Sequence, residues 1–188
     1  MKEAVPIIVF LIIVAVIISS NYISHKIGSN YYKKNTSNKI HDLLHDFLPD
    51  LYNYHYIIDL IGLAVIIPAF FYFNDSLTIE FLTKFLIIMF IRAFTVISTV
   101  LPKYENCDET FTFRSFFLGG CYDKIFSGHT SFILLLTLIY WREHLINGAT
   151  LLGINFVNIL AILLTRSHYT VDVILAVFVT TTIFKLQI

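Results

Sequence analysis

Two histidines in this chain have neighbours that would suit nucleophilic or acid–base chemistry. His168 and Asp172 are four residues apart, so a helix would place both side chains on one face. The carboxylate would fix the tautomer of the imidazole and leave its other nitrogen free to attack. A buried ion pair that only locks a helical bundle is the alternative. Because acids inside apolar segments are costly, they are a functional hypothesis by default, and the catalytic interpretation is favoured.

The second histidine, His129, stands at the start of another apolar segment, directly after Ser127 and Gly128. Ser127 has the residue type of a helix N-cap, and Gly128 allows a ligand to approach the backbone closely. The N-terminus of a helix suits phosphate, and a histidine in its first turn can exchange a proton near neutral pH. A histidine without function at the membrane interface is the alternative, and it would be preferred if His129 stood alone.

Two arginines have positions suited to phosphate oxygens. Arg166 lies two residues before His168 and could clamp a phosphate group. Arg92 lies nine residues before the end of its apolar segment. That distance is about 13 Å along a helix, so Arg92 should face the interior of a bundle or a wet cavity. Snorkelling of Arg92 to lipid head groups is the alternative.

Three acidic residues near these motifs leave more than one interpretation open. Asp123 lies six residues before His129, so it could orient that histidine or hold a polar head group, and it could equally be a solvated carboxylate. Asp50 and Asp59 lie toward the same side of the membrane, and either could be structural.

A group of four polar residues, His41, Asp42, His45 and Asp46, has a helical spacing that a metal ion could use. The pattern is a weak one for metal ligation, and charged amphipathic segments at membrane surfaces are far commoner. No metal site is therefore predicted.

Six apolar segments must position these residues, and they indicate an all-α, polytopic membrane bundle. The chain has 188 residues, of which 57% are hydrophobic and only 14% charged, unlike a typical soluble domain. The apolar blocks are too continuous for barrel strands, and only helices or closed barrels satisfy the backbone within lipid. The segments lie near residues 5–18, 56–73, 81–101, 130–141, 149–164 and 170–186.

The chain is predicted to be one membrane domain over residues 1–188, with about six transmembrane helices. Residues 1–55 would hold a first helix, interpreted as an anchor rather than a signal peptide, and an amphipathic loop. Residues 56–188 would form the catalytic helical core. Counting membrane crossings places the loops 21–55 and 102–126 on one side, called face A here. The starts of the fourth and sixth segments, with both histidines, meet the same side.

Charge gives two further indications. The net charge is zero and the basic residues are scattered, so nucleic acid is not an expected partner. Eight Lys and Arg residues lie on the face A loops against four on the other side, which would place face A in the cytosol. If the four cations of the later face A loops bind phosphate instead, the remaining count is four against four.

The two cysteines, Cys107 and Cys121, share one polar loop and match no zinc spacing. They could pair if that loop faces an oxidising compartment. Two unpaired thiols are the equal alternative.

The motifs together resemble those of the sphingomyelin synthase and inositol phosphorylceramide synthase family. Residues 120–130 (GCYDKIFSGHT) resemble the third signature block, and residues 168–172 (HYTVD) resemble the fourth. Residues 92–102 are similar to the second block, and residues 48–50 are a faint echo of the first.

The resemblance implies six spans and an active site on the lumenal or extracellular side, in an endomembrane such as the Golgi or in the plasma membrane. It implies transfer of a phospho head group from a glycerophospholipid donor to a ceramide acceptor through a phosphohistidine, without metal or organic cofactor. The catalytic residues would be His129, His168 and Asp172. The substrate-binding residues would be Arg92, Asp123, Ser127, Gly128 and Arg166. Choline, ethanolamine and inositol remain open as head groups, as does assembly into a homo-oligomer.

The family belongs to the superfamily of type 2 phosphatidic acid phosphatases, and two departures favour its synthase branch. Seven residues rather than six separate Lys84 from Arg92, and Ala93 replaces the proline that follows in the phosphatases. Ile162 stands where the phosphatases place an arginine, six residues before the nucleophilic histidine. A lipid phosphate phosphatase and a non-catalytic lipid-binding membrane protein are the two alternatives.

Overall fold

The computed structural model describes residues 4–34, 40–104, 107, 110, 115 and 119–186. Every element of regular secondary structure in these residues is helical, as the sequence predicted. The α-helices are α1 Ala4–Lys34, α2 Leu43–Phe47, α3 Tyr56–Tyr72, α4 Asp75–Ser98, α5 Gly128–Arg142, α6 Gly148–Leu164 and α7 Thr170–Lys185. One 3-10 turn, Tyr52–Tyr54, precedes α3.

Side-chain caps set where four of these helices begin. Asn74, Ser127 and Asn147 precede α4, α5 and α6, and each side-chain oxygen accepts a hydrogen bond from the backbone N–H three residues on. In α7 the carboxylate of Asp172 reaches back and accepts from the N–H of Tyr169 at 2.8 Å. Such caps satisfy N–H groups that the first turn leaves unpaired. The two histidine motifs are therefore also helix-start motifs.

Helix α5 is the centre of the bundle and packs against α3, α4, α6 and α7. Its side chains Ile133, Leu135, Leu136 and Ile139 are completely buried. This helix is only 15 residues long, and other helices enclose it. The histidine at its start is consequently held by the best-packed helix of the protein.

Three helical stretches in the described part of the chain are long and apolar enough to cross a membrane. They are Ala4–Tyr32, Tyr52–Tyr72 and Asp75–Ser98, and Gly148–Leu164 is apolar but shorter. All six predicted apolar segments fall on helices, while six spans remain a proposal. Large side chains such as Phe70, Phe71 and Phe94 are more than two-thirds exposed, as lipid-facing groups would be.

Helix α1 extends well beyond the apolar segment predicted at residues 5–18, and the assignment of residues 21–34 to a loop was wrong. Ser20, Asn21 and Ser24 in its second half are buried. At Gly28 an added Cβ would lie 2.4 Å from the Tyr122 ring, so only glycine allows this close approach. Tertiary contacts therefore keep this polar stretch helical.

The short helix α2 docks on the start of α7. The carboxylate of Asp42 accepts hydrogen bonds from the N–H and the hydroxyl of Thr170, at 2.6 and 2.7 Å. The ring Nε2 of His45 donates to the carbonyl oxygen of His168 at 3.1 Å. The described residues contain no group of three or more His, Cys, Asp or Glu that could hold a metal ion. Asp42 and His45 thus support the backbone that carries His168.

The opposite end of the bundle is closed by a charge cluster. Arg142 donates two hydrogen bonds to Glu80, at 2.6 and 2.8 Å, and Lys84 lies 2.8 Å from the same carboxylate. The ammonium of Lys84 also donates to the carbonyl oxygen of Phe184 at 2.9 Å. This cluster ties α4, α5 and α7 together at the end away from both histidines.

Candidate active site

His168 lies immediately before α7 with one ring nitrogen held by the protein. Its Nδ1 is 2.8 Å from the carbonyl oxygen of Lys124 and 3.4 Å from Oδ2 of Asp172. A carbonyl can only accept a hydrogen bond, so Nδ1 carries the proton and Nε2 keeps its lone pair. The sequence predicted Asp172 as the partner that fixes the tautomer. The closer partner is the Lys124 backbone, which side-chain patterns cannot reveal.

Asp172 has two tasks at the start of α7. Its carboxylate is completely buried, and Oδ2 both faces His168 and caps the helix at Tyr169. Its Oδ1 has no hydrogen-bond partner among the described residues. A buried carboxylate beside an imidazole favours the positively charged ring that forms when Nε2 attacks an electrophile. Asp172 therefore contacts the ring of the nucleophile candidate and also caps the helix that follows it.

His129 has a carboxylate partner of its own, and that partner is Asp59. Nε2 of His129 is 3.1 Å from Oδ1 of Asp59, and about a quarter of each side chain is exposed. Asp59 belongs to the first turn of α3, while His129 belongs to the first turn of α5. The sequence left Asp59 open and considered Asp123 as the residue that orients His129. An acid inside an apolar helix was the available signal for Asp59.

Arg92 and Asp123 form a buried ion pair on one wall of the site. Nη2 of Arg92 donates to Oδ2 of Asp123 at 2.7 Å, and Nη1 donates to the side-chain oxygen of Asn21 at 2.9 Å. Nε of Arg92 is buried and has no hydrogen-bond partner in the described part of the chain. A Cβ on Gly128 would lie 3.4 Å from that Nε. Gly128 therefore leaves room beside the arginine, as a substrate-binding role for both residues would require.

Two predicted substrate-binding residues lie away from this wall. Ser127 is completely buried, and its oxygen accepts hydrogen bonds from the N–H and the hydroxyl of Thr130. Arg166 has a φ of 55°, a conformation rare for a residue with a side chain, and its Nη2 donates to the carbonyl oxygen of Leu48 at 2.6 Å. Neither residue lines the two cavities that contain the histidines. The structure thus places Ser127 as a helix cap and Arg166 as a bridge to the loop before α3.

Two cavities of opposite character meet at the histidines. The polar cavity has a volume of about 210 Å³, and the apolar cavity has a volume of about 370 Å³. Three residues line both of them: Asp59, His129 and His168. Polar groups of the first include Tyr52, His55, Thr110, Ser115, Asp123, Lys124 and Ser167. The second includes Ile17, Leu63, Ile66, Phe85, Met89 and Phe132, with Arg92 and Gly128 near the histidines.

This arrangement suits a molecule with a polar head and apolar tails. The histidines lie at the boundary between the two cavities. In an amphipathic phosphate ester, the phosphorus atom likewise lies between the polar head and the apolar tails. One imidazole has a fixed tautomer with Nε2 available, and the other is paired with a carboxylate. Such a pair can serve as a nucleophile and an acid–base group.

A disulfide bond joins two residues that line the polar cavity. Cys107 and Cys121 are bonded, which settles the pairing that the sequence left even, and both line the cavity. Cys121 lies two residues before Asp123, whose Oδ1 accepts the N–H of Gly120 at 2.9 Å. At Gly119 the backbone has a φ of 92°, which favours glycine. The disulfide and this turn together hold the partner of Arg92 in place.

Comparison with known proteins agrees with the motifs. Residues 120–188 match the family model described as PAP2 superfamily C-terminal. The phosphatidylinositol:ceramide inositolphosphotransferase of Trypanosoma cruzi (strain CL Brener) is 28% identical, over 56% of this chain and 37% of that protein. The protein of the same name from Leishmania major is 29% identical, over 58% of this chain and 38% of that protein.

The chain spans less than two-fifths of the length of either relative. Both histidines lie within the matched C-terminal region. Over residues 120–188 the chain is therefore similar to the PAP2 superfamily C-terminal domain, and over a little more than half of its length it is distantly similar to phosphatidylinositol:ceramide inositolphosphotransferases.

Proposed function

We propose that the protein is a sphingolipid synthase, which moves a phospho head group from a glycerophospholipid to ceramide through a phosphohistidine. One observation carries this proposal: Asp59, His129 and His168 form the wall shared by the polar and the apolar cavity. A phospholipid is divided in the same manner, with its phosphate between a polar head group and hydrocarbon tails. Binding in this orientation brings the phosphorus atom to the two imidazoles.

In the first step, Nε2 of His168 attacks the phosphorus atom. An N–P bond forms while the bond from phosphorus to the diacylglycerol oxygen breaks. Protonated His129 gives its proton to that oxygen, and diacylglycerol leaves through the apolar cavity. Since Nε2 of His129 is held by Asp59, Nδ1 is the nitrogen left for this proton transfer. The head group stays attached to His168 as a phosphoramidate.

In the second step, ceramide occupies the place of diacylglycerol. His129 takes the proton of its primary hydroxyl as that oxygen attacks phosphorus, the N–P bond breaks, and Nε2 of His168 is restored. Nε–H of Arg92 and the N-terminus of α5 are suited to the negative charge on the phosphoryl oxygens. General acid–base catalysis of this kind contributes typically about 10²- to 10⁴-fold in rate.

We favour inositol as the head group. The relatives are phosphatidylinositol:ceramide inositolphosphotransferases, and the polar cavity carries several groups that hydrogen-bond to a polyol, among them Tyr52, Thr110, Ser115 and Asp59. Quaternary ammonium groups such as choline are typically bound by cages of aromatic faces. Choline and ethanolamine are the alternatives that an assay with different donors separates.

We further propose that the protein has six spans and that face A, which carries the site, lies outside the cytosol in an endomembrane or the plasma membrane. The Cys107–Cys121 bond supports this orientation, because disulfides persist in oxidising compartments and are rare in the cytosol. The count of cations on the face A loops would favour the cytosol. We give the disulfide more weight, because the charge rule is a statistical tendency and one of the counted cations, Lys124, lines the polar cavity.

Membranes that contain the protein provide the test. Fluorescent ceramide would be supplied with phosphatidylinositol, phosphatidylcholine or phosphatidylethanolamine in turn, and the products separated by thin-layer chromatography. We expect a new fluorescent phospholipid with phosphatidylinositol, lost in His129→Ala and His168→Ala. His144→Ala is the matched control, because His144 is exposed beyond the far end of α5.

Two other outcomes of that assay would replace the proposal. Release of soluble head-group phosphate with unchanged ceramide would indicate a lipid phosphate phosphatase, in which water resolves the phosphohistidine. Binding of lipid without any product, and without an effect of His168→Ala, would indicate a non-catalytic lipid-binding protein.

A further inference from the structure

The polar cavity contains a buried lysine that the reaction scheme above does not use. Lys124 is only 7% exposed and lines this cavity together with His129 and His168. Among the described residues that line the cavity, it is the only lysine or arginine. The position of this cation beside both histidines calls for a functional explanation.

We propose that Lys124 binds the non-bridging oxygens of the transferred phosphoryl group from the polar side of the site. This inference rests on the proposed function, because it assigns a second cation to the same phosphate. Arg92 would contact the group from the apolar cavity and Lys124 from the polar cavity. The phosphoryl group would then lie between two cations at the wall formed by the histidines.

The contacts of Lys124 place its charge beside the nucleophile. Its backbone oxygen accepts the Nδ1–H of His168 at 2.8 Å. Its Nζ donates to the carbonyl oxygen of Ser167, the residue before His168, at 2.5 Å. An ammonium group has three N–H donors, so the bond to Ser167 is compatible with further bonds to phosphate oxygens. The lysine is thus fixed at both ends to the segment that presents Nε2.

The placement of the two arginines strengthens this assignment. Arg166 was the clamp predicted from the sequence, but it bonds to Leu48 and lines neither cavity. Arg92 is paired with Asp123 at 2.7 Å and lines the apolar cavity rather than the polar one. As His168 attacks, negative charge grows on the phosphoryl oxygens, and a preorganised cation stabilises the transition state. Of the described residues that line the polar cavity, Lys124 is the lysine or arginine that can do this.

Orthovanadate is a suitable probe, because it is an oxyanion of phosphate shape and its binding requires no lipid substrate. Its affinity for the purified protein would be measured by titration calorimetry for wild type, Lys124→Gln and Lys124→Arg. Glutamine can still donate a hydrogen bond to Ser167 but carries no charge. We expect Lys124→Gln to bind vanadate at least about 10-fold more weakly, and Lys124→Arg to bind within a few-fold of wild type.

The matched control is Lys103→Gln. Lys103 lies in the same face A loop and also donates to a backbone carbonyl, that of Cys107, but it does not line the polar cavity. Its vanadate affinity should equal that of wild type. Thermal unfolding of every variant separates loss of binding from loss of folding. A purely structural lysine would give lower melting temperatures with unchanged vanadate affinity in the folded protein.

Failure of this inference and failure of the proposed function are distinguishable. Equal vanadate affinity in wild type and Lys124→Gln would overturn the role of Lys124, even if ceramide is converted. Absence of vanadate binding in wild type would also overturn it. Weaker binding in Lys124→Gln together with no lipid product would keep the phosphate contact and reject the sphingolipid synthase.

Discussion

The pair formed by Asp59 and His129 predicts how far kcat should fall when one carboxylate of the site loses its charge. Asp59→Asn keeps the shape of the side chain and removes the negative charge 3.1 Å from Nε2 of His129. A hydrogen bond that involves a charged group contributes about 1.5–3 kcal/mol. Since about 1.4 kcal/mol corresponds to a tenfold change in rate, kcat should fall roughly 10- to 150-fold. His129→Ala should cost more, about 10²- to 10⁴-fold, because the acid–base group itself is lost.

A double-mutant cycle shows whether Asp59 acts through His129. Ceramide conversion would be measured for wild type, the two single variants and the double variant. If the carboxylate works through the imidazole, the double variant should be no slower than His129→Ala alone. Asp46→Asn is the control, since it removes an exposed carboxylate on the same side without touching either cavity. Multiplicative losses, or a fully active Asp59→Asn, would show that Asp59 does not act through His129.

Three further perturbations test the fold around the site. Gly28→Ala should destabilise the protein by about 1–3 kcal/mol, because the added Cβ would meet the Tyr122 ring, whereas Gly153→Ala, with open space around it, should be neutral or stabilising in thermal unfolding. Reducing the Cys107–Cys121 bond, which joins residues 14 apart, should cost about 3 kcal/mol and lower ceramide conversion; a reductant that leaves both unchanged would contradict this. Burial lowers the pKa of His45, the charge of Asp42 raises it, and the charge of Arg166 lowers it further. Because the folded protein holds this pKa below its ordinary value, the protein should lose stability as the pH falls below about 6.5. The sign follows because the unfolded chain then binds more protons, and His45→Gln should remove this part of the pH dependence of the melting temperature.

Sequence patterns located the helices well, except where tertiary contacts override hydrophobicity. The predicted segments 56–73, 149–164 and 170–186 match α3, α6 and α7 to within one residue at each end. Helix α1 was underestimated, because its polar second half is stabilised by partners that are distant in the sequence. Asn21 bonds to Arg92, seventy-one residues away, and no local pattern reveals such a contact.

The members of the site were easier to predict than their partners. Counting membrane crossings already placed His129 and His168 on one side, and both line the same cavities. The partner of His129 is seventy residues away in sequence, and the closest partner of His168 is a backbone carbonyl. Arg166 has an unusual backbone conformation and lies outside both cavities, and the sequence does not predict this conformation. The hydrogen-bond partners of the site residues depend on three-dimensional packing, which the spacing of residues along one helix cannot predict.

The central claim is that His168 carries the head group during transfer. The purified protein would be mixed with phosphatidylinositol labelled with ³²P, without ceramide, and the labelled peptide identified by mass spectrometry. We expect an acid-labile, base-stable adduct on His168 that disappears when ceramide is added and does not form in His168→Ala. Full conversion of ceramide by a protein that never shows this adduct, or that still forms product as His168→Ala, would contradict it.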